Sequence, residues 1–198
     1  LDIVTFHDPP PPPGESGYVP GAGPAPGVDV VGPDPTWPQQ YDHLAALLRD
    51  ALGWRILDLQ HVGSTSVEGL AAKPIIDIDL VVADAADEAA YLPALEARGF
   101  ELQVREPWWF EHRVLRHTDP RCHLHVFAPE APEPVKHRIF RDWLRGNPDE
   151  RDLYAATKRE AAEAARAAGE HSMQYNARKE KVVREIYARA FAAAGLVD

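Results

Sequence analysis

The chain has 198 residues, 45% of them hydrophobic and 26% charged, which is enough to bury the core of one domain. Its formal net charge of −10 argues against a protein that binds nucleic acid or an anionic membrane over its whole surface. The single cysteine, Cys122, excludes an internal disulfide and a cysteine-based zinc cluster, and no run approaches the roughly 20 apolar residues of a membrane span. We therefore expect a protein of the reducing cytoplasm.

The first 38 residues differ from the rest because they contain 11 of the 19 prolines, five of them consecutive. Such a segment favours extended polyproline conformations and does not nucleate a core. We predict a Pro/Gly-rich arm over residues 1–27 and a folded domain over 28–198. The arm is either a linker or a segment that docks onto its own domain or a partner, and valines at 28–31 allow a short edge strand.

A helix is predicted to begin at Pro38 and end at Gly53. Its apolar face consists of Tyr41, Leu44, Leu48 and Leu52. A strand over 56–62 then leads into Gly63. Thr65 and Glu68 have the spacing of a capping box, which predicts a short helix beginning just after Ser64.

The rest of the chain alternates between strand and helix patterns. We predict strands over 75–82, 100–104, 109–116 and 122–127, and helices over 87–98, 136–145, 148–169 and 172–194. Strands mixed with unevenly placed helices indicate an α+β domain, in which a mixed sheet is flanked by helices and carries a C-terminal helical layer over about 147–194.

Two carboxylates interrupt the most apolar strand. Because side chains alternate along a strand, Asp77 and Asp79 share one face while Ile76, Ile78 and Leu80 form the other. Two unpaired carboxylates so close repel each other, so a cation between them is expected. Mg²⁺ fits, because it prefers oxygen ligands and shares them with substrate phosphates. The alternative is that both aspartates hydrate an exposed sheet face.

The glycine turn before this strand favours the first interpretation. Gly63 allows the backbone to approach a phosphate closely, and a helix that begins after Ser64 would offer free N–H groups to an anion. An ordinary capping turn is the alternative. An anion cradle at the end of one strand and paired carboxylates on the next together predict a site for a nucleoside triphosphate with Mg²⁺.

Gly63-Ser64, twelve further residues and then Asp77-Ile78-Asp79 resemble the signature of the nucleotidyltransferase superfamily related to DNA polymerase beta. The longer stretches over 61–66 and 69–77 resemble one branch of it, the GrpB family. Weaker matches are found at 123–126, 140–145, 147–148, Lys158, Tyr175 and Lys179. The resemblance covers roughly residues 28–190.

The resemblance implies a nucleotidyltransferase-type fold in which Asp77 and Asp79 are the catalytic residues and hold Mg²⁺. It implies a second set of residues at the phosphates of a nucleoside triphosphate or related phosphorylated small molecule, namely Gly63, Ser64, Thr65, Lys73, Arg141, Lys158, Tyr175 and Lys179. Similar proteins are sometimes fused to dephospho-coenzyme A kinase, which implies a partner enzyme.

One feature departs from the superfamily pattern, because no third carboxylate follows on a later strand except a weak candidate, Glu111. His123 and His125 share a face of the strand over 122–127 instead. Imidazole suits zinc or manganese better than magnesium, or it binds a phosphate when protonated. Three hypotheses follow: a Mg²⁺-dependent nucleotidyltransferase, a catalytically silent binding module, and a phosphoester hydrolase whose metal is held by the two histidines and the aspartates. Sheet-surface histidines are the structural alternative.

Overall fold

The computed structural model describes residues 2–7 and 9–197, so the predicted limits at residues 1 and 198 lie outside it. The strands are β1 (Asp58–Val62), β2 (Ile76–Val81), β3 (Glu101–Glu106), β4 (His112–Thr118) and β5 (Arg121–Phe127). The helices are α1 (Trp37–Leu52), α2 (Leu92–Glu96), α3 (Glu133–Gly146), α4 (Pro148–Ala168) and α5 (Ser172–Ala193).

The strands form one mixed sheet in the order β1-β2-β5-β4-β3. β2 and β5 run parallel at its centre, and the other neighbours pair antiparallel. The predicted α+β class, with a mixed sheet between helices and helices at the C-terminus, is confirmed.

One face of the sheet carries the main core. Ile76, Ile78 and Leu80 of β2 are completely buried on it, together with Leu124 of β5. The predicted face of α1 packs against them, since Leu44, Leu48 and Leu52 belong to the same cluster. Cys122 also lies there and is buried, as the alternation along its strand predicts.

The C-terminal helices cover the opposite side of the molecule. A second apolar cluster joins Leu70 of the loop before β2 to Leu144 of α3, Tyr154 of α4 and Ile186 of α5. α4 begins at Pro148 and ends before Gly169, whose φ of +66° suits glycine. Asn147 precedes the helix as predicted, but its side chain donates backwards to the Trp143 carbonyl and does not cap α4.

The predicted helix after Ser64 is wrong. Residues Ser64–Ser66 form only a single 3-10 turn, and the chain is extended again at Val67. The Thr65 hydroxyl does not bond Glu68, because it lies 3.0 Å from His61 Nε2 and donates to the Ile75 carbonyl at 3.3 Å. This contact across the turn replaces the capping box.

Two other predicted elements are shorter than expected. The helix predicted over 87–98 is reduced to α2, because a 3-10 turn at Glu88–Ala90 precedes it and Pro93 stands in its first turn. β4 begins at His112 instead of residue 109, because Phe110 and Glu111 have φ near +50°, which interrupts an extended strand.

The proline-rich arm docks onto its own domain. The Val19 amide donates to Gln103 O and the Arg105 amide donates to Gly17 O, so the arm lies along the edge strand β3. Farther on, Val31 and Ala72 exchange two backbone hydrogen bonds. This isolated bridge is all that forms of the edge strand predicted for the valines at 28–31.

Among the helices of the described residues, none is both long and apolar enough to cross a membrane.

Candidate functional site

The candidate site lies where β2 and β5 run side by side. The parallel register pairs Asp77 with His123 and Asp79 with His125, so all four side chains face the same side of the sheet. The predicted common face of the two aspartates is present in the structure. The strand that carries the two histidines, β5, lies next to β2.

Gly63 connects β1 to this face. Its φ is +67°, and a Cβ placed on it would overlap the Asp77 carboxylate and lie 2.9 Å from Asp77 Cβ. Any other residue would therefore meet both backbone strain and a steric clash here. The turn over 63–66 consequently lies directly against the Asp77 carboxylate, with Ser64 half-buried beside it.

Asp79 is 1% exposed, and its two oxygens differ. Oδ2 accepts a hydrogen bond from His137 Nδ1 of α3 at 2.8 Å. Oδ1 is buried and has no hydrogen-bond partner in the part of the chain that the structure describes. Burial opposes protonation of His137, but the carboxylate and its hydrogen bond outweigh that effect and raise the pKa of His137 above its ordinary value.

Asp77 is more accessible and is surrounded by positive groups. Burial alone would raise its pKa, but His123, whose Nδ1 lies 3.6 Å from Asp77 Oδ1, and the charge of Lys73 hold the pKa of Asp77 below the usual value. Asp77 is therefore ionised near neutral pH and able to meet a cation.

Asp77, His123, His125 and His137 line one open cleft of about 1580 Å³. The arm over 18–29, the glycine turn, β2, β5 and the helices α4 and α5 contribute to its walls. Of the residues predicted to bind phosphate, the following line it: Gly63, Ser64, Thr65, Lys73, Lys158, Tyr175 and Lys179. Seven of the eight residues that the resemblance implies at the phosphates therefore line the same cleft.

Lysines of the cleft lie against the rings of two tyrosines from α4 and α5. The Lys73 and Lys179 ammonium groups lie 5.6 and 5.0 Å from the Tyr175 ring centroid. Lys158 is 2% exposed, lies over the Tyr154 ring and donates to the Ala71 carbonyl. Burial, assisted by the Lys179 charge, lowers the pKa of Lys158 to about 6.

Arg141 is the predicted phosphate ligand that does not line the cleft. Its guanidinium donates to the His61 carbonyl at 2.9 Å and pairs with Asp142, so it braces α3 against β1. The Thr65 hydroxyl lines the cleft, but its two contacts with His61 and the Ile75 carbonyl occupy it.

Three residues that contact the site were not identified from the sequence. His137 reaches Asp79 from α3, and Glu106 reaches the site through His112, which lies between it and His125. Glu111, the weak candidate for a third carboxylate, pairs with Arg113 and does not line the cleft. The sequence offers one signal for His137, since it lies in the helix predicted over 136–145.

Of the four predicted metal ligands, Asp77, His123 and His125 line the cleft, whereas Asp79 shares their sheet face but is buried and does not line it. Within the described residues, His, Cys, Asp and Glu side chains form no group of three or more arranged to hold a metal ion. The oxygen donors of the two aspartates are nevertheless the kind that Mg²⁺ uses, with phosphates and waters completing its shell. The unpartnered Oδ1 of Asp79 supplies one such donor.

Comparison with known proteins decides the family, because the model of the GrpB protein family matches residues 27–189. The chain belongs to the GrpB family. A UPF0157 protein of Halalkalibacterium halodurans is 48% identical over 157 residues, covering 79% of each chain. The crystal structure of the conserved protein GrpB from Enterococcus faecalis superimposes with a TM-score of 0.72 at 28% identity, covering 84% of this chain and 99% of that one. The GrpB match begins at residue 27, so the arm precedes it.

The chain also matches part of longer proteins. A protein named dephospho-CoA kinase from Mycolicibacterium paratuberculosis is 34% identical over 190 residues. The alignment covers 83% of this chain but only 46% of that protein. The chain therefore spans about half the length of these relatives.

Proposed function

We propose that this GrpB-family chain binds a nucleoside triphosphate with Mg²⁺ in the cleft and transfers its nucleotidyl group to an acceptor. The observation that carries the proposal is the carboxylate pair, Asp77 and Asp79, which shares one sheet face with the turn at Gly63. Membership of the nucleotidyltransferase superfamily is part of the same proposal.

Asp77 and Asp79 would hold the metal ion. When bound, Mg²⁺ supplies positive charge that neutralises the phosphate oxygens. Asp77 is kept ionised by its neighbours, and Asp79 Oδ1 is buried with no hydrogen-bond partner among the described residues, a costly arrangement that a cation would relieve.

The side chains of the cleft have complementary roles. Lys73 and Lys179 are held at the Tyr175 ring and offer positive charge to the phosphates. Gly63, which has no side chain to obstruct the approach, lets the phosphates come close to the backbone beside Asp77. The protein's contribution is to position the reactants and stabilise developing charge.

The reaction class is in-line substitution at the α-phosphorus. The acceptor oxygen forms a bond to phosphorus while the bond from phosphorus to the bridging oxygen breaks. Pyrophosphate leaves with the electron pair, and the acceptor proton passes to solvent. No redox partner is needed.

Titration calorimetry with ATP in the presence and absence of Mg²⁺ tests this proposal. We expect Mg²⁺-dependent binding that falls at least about 100-fold in Asp77→Ala, because the variant loses a charged ligand worth on the order of 3 kcal/mol. Asp42→Ala is the matched control, since Asp42 is an exposed carboxylate of α1. Equal affinity in wild type and Asp77→Ala would reject the role of the carboxylate.

A second candidate function is an accessory module that binds a coenzyme A precursor without transfer chemistry. The similarity to proteins named dephospho-CoA kinase favours it. A thermal-shift comparison of dephospho-CoA with MgATP separates the two, since a ligand that binds the native state raises the unfolding temperature. Stabilisation by dephospho-CoA alone would favour the accessory function.

A further inference from the structure

A chain of three side chains leads from the end of β3 to the cleft. Glu106 Oε2 lies 2.8 Å from His112 Nδ1, and His112 Nε2 lies 3.0 Å from His125 Nδ1. His125 lines the cleft, whereas Glu106 and His112 do not. Since Nδ1 of His125 is engaged by His112, Nε2 is the ring nitrogen left for a ligand.

The middle of this chain is held rigidly. His112 is 4% exposed, and its ring stacks on Phe127 with centroids 4.7 Å apart. Trp109 meets the same ring edge-on at 4.8 Å. The positive φ angles of Phe110 and Glu111 turn the backbone so that His112 enters β4 facing this stack. Strained residues of this kind persist where the surroundings fix them.

Counting protons along the chain decides which nitrogen faces the cleft with a lone pair. An imidazole of ordinary basicity is neutral at about pH 8 and carries one N–H, and the 3.0 Å contact between the two rings holds a single proton. An ionised carboxylate only accepts hydrogen bonds, so His112 donates from Nδ1 to Glu106. Its Nε2 then accepts from His125 Nδ1, which leaves His125 Nε2 without a proton.

We propose that Glu106 and His112 are positioning residues that fix His125 as a hydrogen-bond acceptor, and that His125 Nε2 accepts the hydrogen bond of the acceptor hydroxyl. The second half of this statement rests on the proposed nucleotidyl transfer. His125 would thus orient the attacking oxygen. The carboxylate that a later strand offers the cleft, Glu101, lies on the edge strand β3, whereas His125 is paired with Asp79 on the central strand β5.

The reverse arrangement of protons would present a hydrogen-bond donor to the cleft instead of an acceptor. If Glu106 were protonated and donated to His112, then His112 would donate to His125, and His125 would present an N–H suited to a phosphate oxygen. The two arrangements differ in the hydrogen position on one nitrogen, which is directly measurable.

Long-range ¹H–¹⁵N NMR of the histidine rings in the full chain tests the relay, with His125→Gln identifying the His125 signals. The spectrum is recorded at about pH 8, because burial raises the pKa of Glu106. We expect a protonated Nδ1 and an unprotonated Nε2 on His125. A proton on Nε2 in the wild-type protein would overturn the proposal.

Glu106→Gln supplies the variant, because its amide can donate to His112 and so permits the reversed arrangement. We expect the Nε2–H form of His125 to appear in Glu106→Gln but not in the matched control Glu96→Gln, which changes an exposed carboxylate of α2 away from the cleft. An unchanged His125 spectrum in Glu106→Gln would contradict the positioning role.

Pyrophosphate release from MgATP, with water as the acceptor, adds a functional readout. We expect Glu106→Gln to slow release about 10-fold, as loss of an orienting partner does, while MgATP affinity stays within about two-fold. Unchanged release would refute the orienting role of His125. If wild type does not bind MgATP but shows the expected spectra, the proposed function fails and the relay stands.

Discussion

The glycine at position 63 is the residue on which the geometry of the site depends most closely. It joins β1 to the site, and its missing side chain is what allows the turn to lie against Asp77. The positive φ of Gly63 and its close approach to Asp77 are separate constraints. A glycine that has a positive φ but no such close approach distinguishes them.

Gly63→Ala is expected to lower the free energy of unfolding by more than Gly53→Ala, the matched control. Gly53 also has a positive φ, +53°, but a Cβ there meets nothing within 4 Å. Strain alone costs about 1 kcal/mol at such positions, and the overlap with Asp77 adds about 1–3 kcal/mol. Urea denaturation measures both variants, and equal losses would contradict the close contact.

Lys158 offers a test through proton linkage. With a pKa of about 6 it is mostly neutral near pH 7.5, and an anion beside its Nζ favours the charged form and raises that pKa. Binding of MgATP is therefore expected to take up as much as about one proton.

Calorimetry in two buffers of different ionisation enthalpy measures this uptake as the difference between wild type and Lys158→Met. Lys181→Met is the control, since Lys181 is an exposed lysine of α5 paired with Glu185. Binding with the same proton balance in wild type and Lys158→Met would place the phosphates away from Lys158.

At the residue scale, the sequence predicted those features that follow from the alternation of side chains along a strand. Asp77 and Asp79 share a face because strand side chains alternate, and the neighbouring histidine strand was recognised by its own pattern. His137, His112 and Glu106 were missed because their contacts join separate elements, and no local periodicity encodes such pairings. Arg141 was chosen by resemblance, and its local contacts turn it to the edge of β1.

At the scale of elements the arm is the least expected feature. Its first residues reach α3 and α5, where the Phe6 ring meets Tyr187 edge-on at 5.1 Å and the Lys136 ammonium lies 4.9 Å from its centroid. Lys136 is fully buried, donates to the Thr5 carbonyl at 2.7 Å and pairs with Glu133. Proline richness indicated an extended segment, but composition does not reveal which surface such a segment covers.

Phe6→Ala is expected to loosen the arm without unfolding the domain. The aromatic and cation–π contacts together contribute on the order of 1–2 kcal/mol, so proteolytic cleavage within residues 2–19 should become roughly 10-fold faster. Thr5→Ala is the matched control, because Lys136 contacts the Thr5 backbone carbonyl. Equal cleavage rates in the two variants would show that Phe6 does not anchor the arm.

At the scale of the whole molecule, one face of the sheet packs the main core and the other face carries the candidate site. One face is apolar and packs on α1, and the other carries the aspartates and histidines of the site, which the lysines of the loop before β2 and of α4 and α5 face across the cleft. The fold class was predictable because both faces follow the period of a strand. The capping box predicted at 65–68 is wrong because the Thr65 hydroxyl contacts His61 of β1 and the Ile75 carbonyl just before β2. Only the assembled sheet brings these groups close to it.

The central claim is that Asp77 and Asp79 hold a divalent cation for a triphosphate. The most direct measurement is a crystal structure with a non-hydrolysable ATP analogue and Mn²⁺, whose anomalous scattering locates the metal. The account expects a Mn²⁺ peak within ligand distance of both carboxylates, with the phosphates beside Gly63. A nucleotide bound outside the cleft, or a metal that touches neither carboxylate, would contradict it.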